Sequence, residues 1–309
     1  MLKSIKQNEN KPCTFGAGQK GDCQKYISIH APKAKKAVSE EEFGHFLAGL
    51  IDSDGSIAKP GYVQIDFHTN DISVAYYIKK RIGYGKISQE KKRFSVRYRC
   101  TPTPGLVLIA DLIRNKLKHS SKIDQFNSRL VPKLNCDPTT YTDCDILQNH
   151  WLAGFIQGDG CLSILQCKNR NKTSLKSTIV IQISQKTEKL LSLIQTYLGG
   201  YVGYRKSQDT FYYITGSFTS AVLFINYLDR FQLMGNKLTQ YWLWRKAYLV
   251  FQTGLHLTPK GEAKLSLKKA QLSKLRANKL ETLSQDDLDY RLQAKLKRKA
   301  KRSASTVTE

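Results

Sequence analysis

The chain has 309 residues, of which 40% are hydrophobic and 10% aromatic, a composition typical of a globular protein and unlike that of a disordered one. Lys and Arg number 50 against 25 for Asp and Glu, and the resulting net charge of +25 points to a polyanionic partner, nucleic acid before an anionic membrane surface. A merely solvated basic surface is the plain alternative. Because no apolar run is long enough to span a bilayer and no secretory signal is present, we expect a soluble, non-secreted protein.

Residues 1–38 show neither helical nor strand periodicity and are predicted to form an N-terminal extension. They include FGAGQKGD at positions 15–22, which formally fits GxGxxG. No apolar strand leads into it and no amphipathic helix follows, so a nucleotide site is not expected there. Seven cysteines are scattered along the chain without a CxxC pair, which argues against a zinc finger and against a disulfide framework.

A nine-residue phrase occurs twice, as LAGLIDSDG at residues 47–55 and as LAGFIQGDG at residues 152–160. The first copy ends a helix that is predicted to begin after Ser39, because Ser39 and Glu42 form a capping box and apolar residues follow at helical spacing. A weaker capping box at residues 142–145 predicts the beginning of the second helix. Both helices are predicted to end at Asp-Gly, where glycine accepts the left-handed conformation.

The repeat continues beyond the phrase. Alternating apolar residues predict strands with one apolar face at residues 62–68 and 179–184, and helices follow over residues 71–82 and 187–198. Further strands at residues 93–99 and 210–215 lead into helix-rich stretches. Each half therefore reads helix, two strands, helix, two strands, helix.

The helix-rich stretches share the pattern K-[IL]-x-Q-[FY], at residues 122–126 and 237–241. We predict an α+β protein of two pseudo-symmetric repeats with antiparallel sheets. Its segments are an N-terminal extension at 1–38, a first domain at 39–135, a second domain at 142–276 and a basic C-terminal tail at 277–309.

The solvent-exposed faces of the predicted strands carry Arg, Gln, Ser and other polar residues, and the turns between the strands are rich in lysine. Such side chains reach phosphates and base edges, and a β-ribbon fits the major groove of B-DNA. Two matched basic faces predict DNA contact, although a charged solvent face is the common outcome for such runs. The predicted DNA contacts are Arg93, Arg97, Arg99, Asp66, His68, Ser184, Lys86, Arg205, Lys206, Lys168 and Arg170.

Internal symmetry selects one acidic pair within the repeated phrase. Asp54 and Asp159 occupy the same position in the two copies, whereas Asp52 corresponds to Gln157 and is therefore set aside. A lone Asp-Gly usually marks only a turn. Two copies at the ends of equivalent helices instead predict two carboxylates near a common axis. A nuclease needs such carboxylates to hold Mg²⁺ beside a phosphate. Small residues would let the helices approach closely: Ala48, Gly49, Ala153 and Gly154.

LAGLIDSDG and LAGFIQGDG resemble the signature of the LAGLIDADG homing endonucleases, specifically the single-chain, two-repeat members encoded in organellar introns. The resemblance covers residues from about 40 to 276, including HLTPKGEAKLSLKK at residues 256–269. It implies an αββαββα fold in each half, signature helices at the domain interface and two saddle-shaped sheets that grip a long asymmetric DNA site. It also implies a monomer that cleaves both strands across the minor groove, with Mg²⁺ or substituting Mn²⁺, and so promotes mobility of its host intron.

The resemblance assigns roles by position. Asp54 and Asp159 look like the metal ligands, with the carbonyls of Gly55 and Gly160 beside them. The residues that look like the remainder of the catalytic pocket are Lys122, Lys237, Gln64 and Gln182.

Two other functions stay open on the sequence alone. One is an RNA maturase that assists splicing of its own group I intron, which would make intron RNA a partner. The other is a DNA-binding protein of the same fold that does not cut. The basic block at residues 295–302 is compatible with either phosphate binding or a solvated end. The expected compartment is the mitochondrion, then the chloroplast.

Overall fold

A computed structural model describes residues 26–90, 94–168 and 175–276, which form two copies of one α+β unit. Each copy has the predicted order of helix, two strands, helix, two strands and closing helices. The first copy comprises α1 (Glu40–Ser53), β1 (Gly55–Ala58), β2 (Tyr62–His68), α2 (Ile72–Ile82), β3 (Lys86–Glu90), β4 (Ser95–Cys100), α3 (Thr103–Ile113), α4 (Ser120–Gln125) and α5 (Val131–Leu134).

The second copy repeats this order and adds length at its C-terminal end. In the first copy, a short 3-10 turn over Thr69–Asp71 precedes α2, and a π turn over Phe126–Leu130 joins α4 to α5. The second copy comprises α6 (Trp151–Asp159), β5 (Cys161–Lys168), β6 (Leu175–Gln185), α7 (Lys189–Leu198), β7 (Tyr201–Arg205), β8 (Thr210–Ile214), α8 (Phe218–Arg230), α9 (Gly235–Gln252) and α10 (Pro259–Arg276).

Both sheets are four-stranded and antiparallel, with strand orders β1-β2-β4-β3 and β5-β6-β8-β7. The equivalent order in the two halves confirms the predicted fold class. In each sheet one face packs against helices, because alternate residues are apolar: Val63 and Ile65 of β2, like Ile181 and Ile183 of β6, are fully buried. The other face carries the polar residues of the same strands.

The first signature helix begins where the capping box predicts. The backbone N–H of Glu42 donates to Ser39 Oγ at 3.1 Å, and the N–H of Ser39 donates to Glu42 Oε2 at 3.2 Å. The second signature helix begins at Trp151, so the start predicted from residues 142–145 was wrong. There the side chains of Asp145 and Asn149 accept the N–H groups of Leu147 and Trp151, each at 2.8 Å, and hold the chain in local turns.

One strand also differs from its prediction. Phe94, which falls within the strand predicted at residues 93–99, has a φ of 49° and lies in the turn before β4. Its carbonyl accepts the N–H of Thr69 at 2.9 Å, so the residue ties this turn to the end of β2. Strand β4 begins one residue later, at Ser95.

The two signature helices pack side by side in the centre of the molecule. A Cβ on Gly49 would collide with the carbonyl of Trp151, and a Cβ on Gly154 would collide with the carbonyl of Phe46. The backbones therefore touch where the sequence places its small residues. The apolar residues of the phrases, and Phe46 just before the first phrase, are almost completely buried around this contact; those of the phrases are Leu47, Leu50, Ile51, Leu152, Phe155 and Ile156.

The described part of the predicted N-terminal extension runs along the second half. Lys35 pairs with Phe231 in a parallel bridge, and the backbone of Ile27 exchanges two hydrogen bonds with the Gln252 side chain, at 2.8 and 3.0 Å. The GxGxxG-like stretch and the basic tail at 277–309 lie outside the described residues, and the domain boundaries remain predictions. The five described cysteines are free thiols. Within this part of the chain, no helix is long and apolar enough to cross a membrane.

Candidate active site at the ends of the signature helices

The two shared aspartates lie at adjoining helix ends. Asp54 caps the C-terminus of α1, and Asp159 is the last residue of α6. A Cβ on Gly158 would lie only 2.9 Å from Asp54 Oδ2, which places the Asp54 carboxylate directly against the end of the opposite helix. The close packing of α1 and α6 thus brings both carboxylates to one place, as internal symmetry predicts.

Both carboxyl groups have raised pKa values. Desolvation among the surrounding protein atoms raises the pKa of Asp54 to about 6, against the opposing charges of Lys237 and Lys122. Desolvation, together with repulsion from Asp54, raises the pKa of Asp159 to about 7. Two carboxylates that repel each other at a solvent-accessible helix end favour a cation between or beside them.

The two lysines of the repeated K-[IL]-x-Q-[FY] pattern reach this same place. Lys122 Nζ donates to the carbonyl of Gly55, and Lys237 Nζ donates to the carbonyl of Gly160, each at 2.6 Å. Burial lowers the pKa of both ammonium groups, while nearby carboxylates act in the opposite direction. Each half therefore has a lysine beside the glycine that follows its aspartate.

Gln185 contacts an aspartate directly, and sequence reasoning missed it. Its Nε2 donates to Asp159 Oδ2. The signal was available in the strand pattern: continuing the apolar series Ile179, Ile181 and Ile183 by two residues leads to Gln185, a polar residue on an apolar face.

The predicted glutamines Gln64 and Gln182 occupy equivalent positions on the polar faces of the two sheets, opposite Ser56 and Cys161. Gln64 accepts from Arg99 at 3.3 Å, and Gln182 lies 3.5 Å from Ser184 Oγ. Their roles in catalysis stay predictions.

Asp52, set aside on the sequence, is one of the most connected side chains of the site. It is fully buried and accepts the backbone N–H groups of Lys118 and His119, at 2.7 and 3.2 Å, and the indole N–H of Trp151 at 2.8 Å. Burial raises its pKa to about 6. Its counterpart Gln157 accepts the N–H of Met234 at 2.9 Å. Both positions thus fix the backbone just before a lysine-bearing helix.

The polar face of the first sheet is an ordered network. Arg97 makes two hydrogen bonds to Asp66, at 2.5 and 3.2 Å, and Arg99 lies over the ring of Tyr62 at 5.0 Å. On the second sheet, Arg205 lies 4.7 Å over the ring of Tyr212.

The remaining predicted contacts fall into two groups. Lys86 is exposed on β3, His68 ends β2, Ser184 lies on β6 and Lys206 begins the turn before β8. Lys168 ends β5, but its side chain is not described, and Arg93 and Arg170 lie outside the described residues.

The chemistry of the donors fits a hard divalent cation. Asp54 and Asp159 offer carboxylate oxygens, and Gly55 and Gly160 offer carbonyl oxygens. Among the residues described, no group of three or more His, Cys, Asp or Glu side chains could by itself enclose a metal ion.

Cation binding to this site should strengthen as the pH rises from 5.5 to 8. Because the pKa values of Asp54 and Asp159 are about 6 and 7, both carboxyl groups are protonated below this window and must release protons to bind a cation. Each displaced proton should add about tenfold in affinity per pH unit below its pKa. Isothermal titration of the protein with Ca²⁺ in two buffers of different ionisation enthalpy measures both the affinity and the protons released. An affinity that is constant across this range would contradict the assignment.

Comparisons with known proteins show which chains this one is similar to. The model of the LAGLIDADG endonuclease family matches residues 152–248. The cox1 intron-2 37.2 kDa protein of Schizosaccharomyces pombe is 42% identical over 243 residues, which covers 77% of this chain and 75% of that protein. A probable intron-encoded endonuclease 4 of Neurospora crassa is 24% identical over 253 residues, or 78% of this chain and 46% of that protein. The chain thus spans less than half of the Neurospora relative.

A solved structure shares the fold. The crystal structure of the meganuclease I-SmaMI bound to uncleavable DNA superimposes with a TM-score of 0.63, covering 75% of this chain and 98% of that one. The sequences are 22% identical, so this likeness concerns the fold.

Proposed function

Since the chain belongs to the LAGLIDADG endonuclease family, a family of nucleases that use divalent metals, we propose that it cuts both strands of a DNA duplex at a specific site with the help of Mg²⁺. The observation that carries the proposal is the pair Asp54 and Asp159 at adjoining helix ends, each followed by a glycine carbonyl that a lysine contacts. A duplex has two strands, and the pair offers one carboxylate to each.

The residues of the site divide the chemistry among them. Asp54 and Asp159 would hold the cation, with the carbonyls of Gly55 and Gly160 beside them. The bound cation supplies Lewis-acid activation of the phosphate and shielding of the leaving oxygen. Gln185 fixes the orientation of the Asp159 carboxylate through its hydrogen bond.

The two lysines act on charge. Lys122 and Lys237 are desolvated, and their ammonium groups lie next to the glycine carbonyls rather than in free solvent. A cation held in this way interacts strongly with negative charge that develops on a phosphate, since little water screens it. Each lysine would therefore stabilise the transition state of phosphodiester hydrolysis.

The polar faces of the two sheets would bind the duplex. Arg97 and Arg99 on the first sheet, and Arg205 on the second, present guanidinium groups that can pair with guanine or with phosphate. The two faces differ in sequence, so the recognised site is asymmetric. Because one chain supplies both halves, the protein would act as a monomer.

The endonuclease is favoured over the two alternatives, an RNA maturase and a DNA-binding protein that does not cut. Several relatives are named as intron-encoded endonucleases and one as an intron-encoded RNA maturase, and the cox1 intron origin of the Schizosaccharomyces pombe relative supports the mitochondrion rather than the chloroplast as the compartment. Cleavage of an allele that lacks the intron would promote mobility of the host intron.

The direct test is cleavage of a randomised duplex pool by the purified full chain, with sequencing of the new ends on both strands. With Mg²⁺ we expect ends at a fixed offset within one family of sequences, and with EDTA we expect none. The same test with Mn²⁺ asks whether that ion substitutes. If new ends are absent with Mg²⁺, or are equally frequent with EDTA, the proposed function is wrong.

A further inference from the structure

The helix that carries Lys237 begins in contact with the other half of the protein. A Cβ on Gly235, the first residue of α9, would lie 2.9 Å from Ser73 Oγ and 3.2 Å from Val74 Cγ2, and both of these residues belong to α2 of the first half. Asn70 and Asn236 each donate to the carbonyl of Leu275, at 2.9 Å, and so join the two halves through one acceptor. The position of Lys237 therefore depends on residues of the first half.

Asp71 lies at the centre of this contact. It is 8% exposed, and its Oδ1 would lie 3.3 Å from a Cβ on Gly235, so its carboxylate faces the N-terminus of α9 where Asn236 and Lys237 follow. Burial raises the pKa of Asp71, and the charge of Lys237 opposes this more than any other group. In turn, Asp71 is the carboxylate that most strongly favours the charged form of Lys237, whose pKa burial lowers. Asp71 and Lys237 are thus each other's main charge partners.

Lys122 has a different buried partner. Asp52 binds the backbone N–H groups of Lys118 and His119 just before α4, the helix that carries Lys122. Of the carboxylates around Lys122, Asp52 is the one that most favours its charged form. The position equivalent to Asp52 in the second half is the neutral Gln157, which binds the backbone before α9 but brings no charge. Asp71 supplies from the first half the charge that Gln157 lacks.

We propose that Asp52 and Asp71 are positioning residues, each for one lysine of the active site: Asp52 holds Lys122 from within its own half, and Asp71 holds Lys237 from across the interface. The inference rests on the proposed function, since it assigns a supporting group to each lysine of that site. It makes both lysines depend on the first half of the chain. It also means that the cleavage step assisted by each lysine depends on a different aspartate.

Strand-resolved cleavage tests this assignment. The cleaved duplex carries a different label on each strand, and single-turnover rates are measured for each strand separately. Asp71→Asn should slow cleavage with the same strand preference as Lys237→Met, and Asp52→Asn with the same preference as Lys122→Met. The rate for the affected strand should fall by about 10- to 100-fold, as for other groups that orient active-site residues without touching the substrate. Nicked duplex should accumulate, and the strand that is cut more slowly should be the opposite one in the two aspartate variants.

A matched control separates positioning from loss of stability. Asp111 is also an aspartate of the first half, but it lies on the surface of α3 in an ion pair with Arg114 at 2.8 Å. Asp111→Asn should cut both strands at the rate of the unmodified protein. A loss of folding in Asp52→Asn or Asp71→Asn would lower both strand rates in equal proportion, so equal slowing of both strands overturns the inference. If the unmodified protein cuts neither strand, the proposed function itself has failed.

Discussion

The double variant Asp54→Asn with Asp159→Asn should bind its DNA site and cut neither strand. Asn has the size of Asp but lacks its charge, and a neutral amide oxygen is a weak ligand for a hard cation. Changes to groups that only orient metal ligands cost about 10- to 100-fold, so loss of the ligands themselves should exceed about 100-fold. In the proposed complex with DNA, the carboxylates would lie beside the path of the phosphates and would repel them when no cation is present. DNA binding without a cation should therefore be retained or become tighter.

Cleavage and binding must be measured on the same preparations. Labelled duplex reports cleavage in Mg²⁺, and a gel-shift titration in EDTA reports binding. Asp137→Asn is the control, since Asp137 is an aspartate with 85% of its side chain exposed, paired with Arg114 on the surface. It should behave as the unmodified protein in both assays, because surface ion pairs contribute little. Cleavage by the double variant at the unmodified rate would mean that the metal site lies elsewhere.

The fold followed from the sequence wherever a repeat of apolar residues determined it. The phrases, the strands at residues 62–68 and 179–184 and the helix patterns all occur twice, so each copy supports the assignment of the other. The predicted start of α6 was wrong because Asp145, the acidic residue of the predicted capping box, closes a local turn with the N–H of Leu147 instead. A capping pattern alone does not say which of these a chain will form.

The active site could be predicted only at positions where the two copies carry the same side chain. Asp54 and Asp159 share a side chain, so the comparison of the two copies selects them. Asp52 and Gln157 share only an acceptor oxygen, and both use it to bind a backbone N–H. The sequence comparison judged them by charge and set Asp52 aside.

Contacts between the two halves could not be predicted from the sequence, for a different reason. Asp71 meets the N-terminus of α9 only because α1 and α6 bring the two units together. Periodicity describes one element at a time and gives no information on which turn of one half faces which helix of the other. Gln185 is the intermediate case, since its polar character on an apolar strand face was visible but its partner Asp159 was not.

Gly154→Ala should lower the thermal stability of the protein severely, although alanine is the better helix former. The gain in helix propensity is about 1 kcal/mol. Against it stands a Cβ that collides with the carbonyl of Phe46 and lies 3.0 Å from the N–H nitrogen of Leu50, and both of these are backbone groups that cannot rotate away. Overpacking of a well-packed interface costs about 1–3 kcal/mol, and this case belongs at the upper end or beyond it.

The same substitution should also remove cleavage, because separating α1 from α6 moves Asp54 away from Asp159. Gly216→Ala is the matched control, since a Cβ there meets nothing within 4 Å, and its stability should change by less than about 0.5 kcal/mol. For Gly154→Ala, each kcal/mol of net stability lost should lower the midpoint of thermal unfolding by about 2–4 °C, the range typical of domains of about 150–250 residues. Scanning calorimetry of the two variants beside the unmodified chain measures the difference. Equal midpoints for Gly154→Ala and Gly216→Ala would show that the signature helices do not need to touch, and the shared active site at their ends would then lose its structural basis.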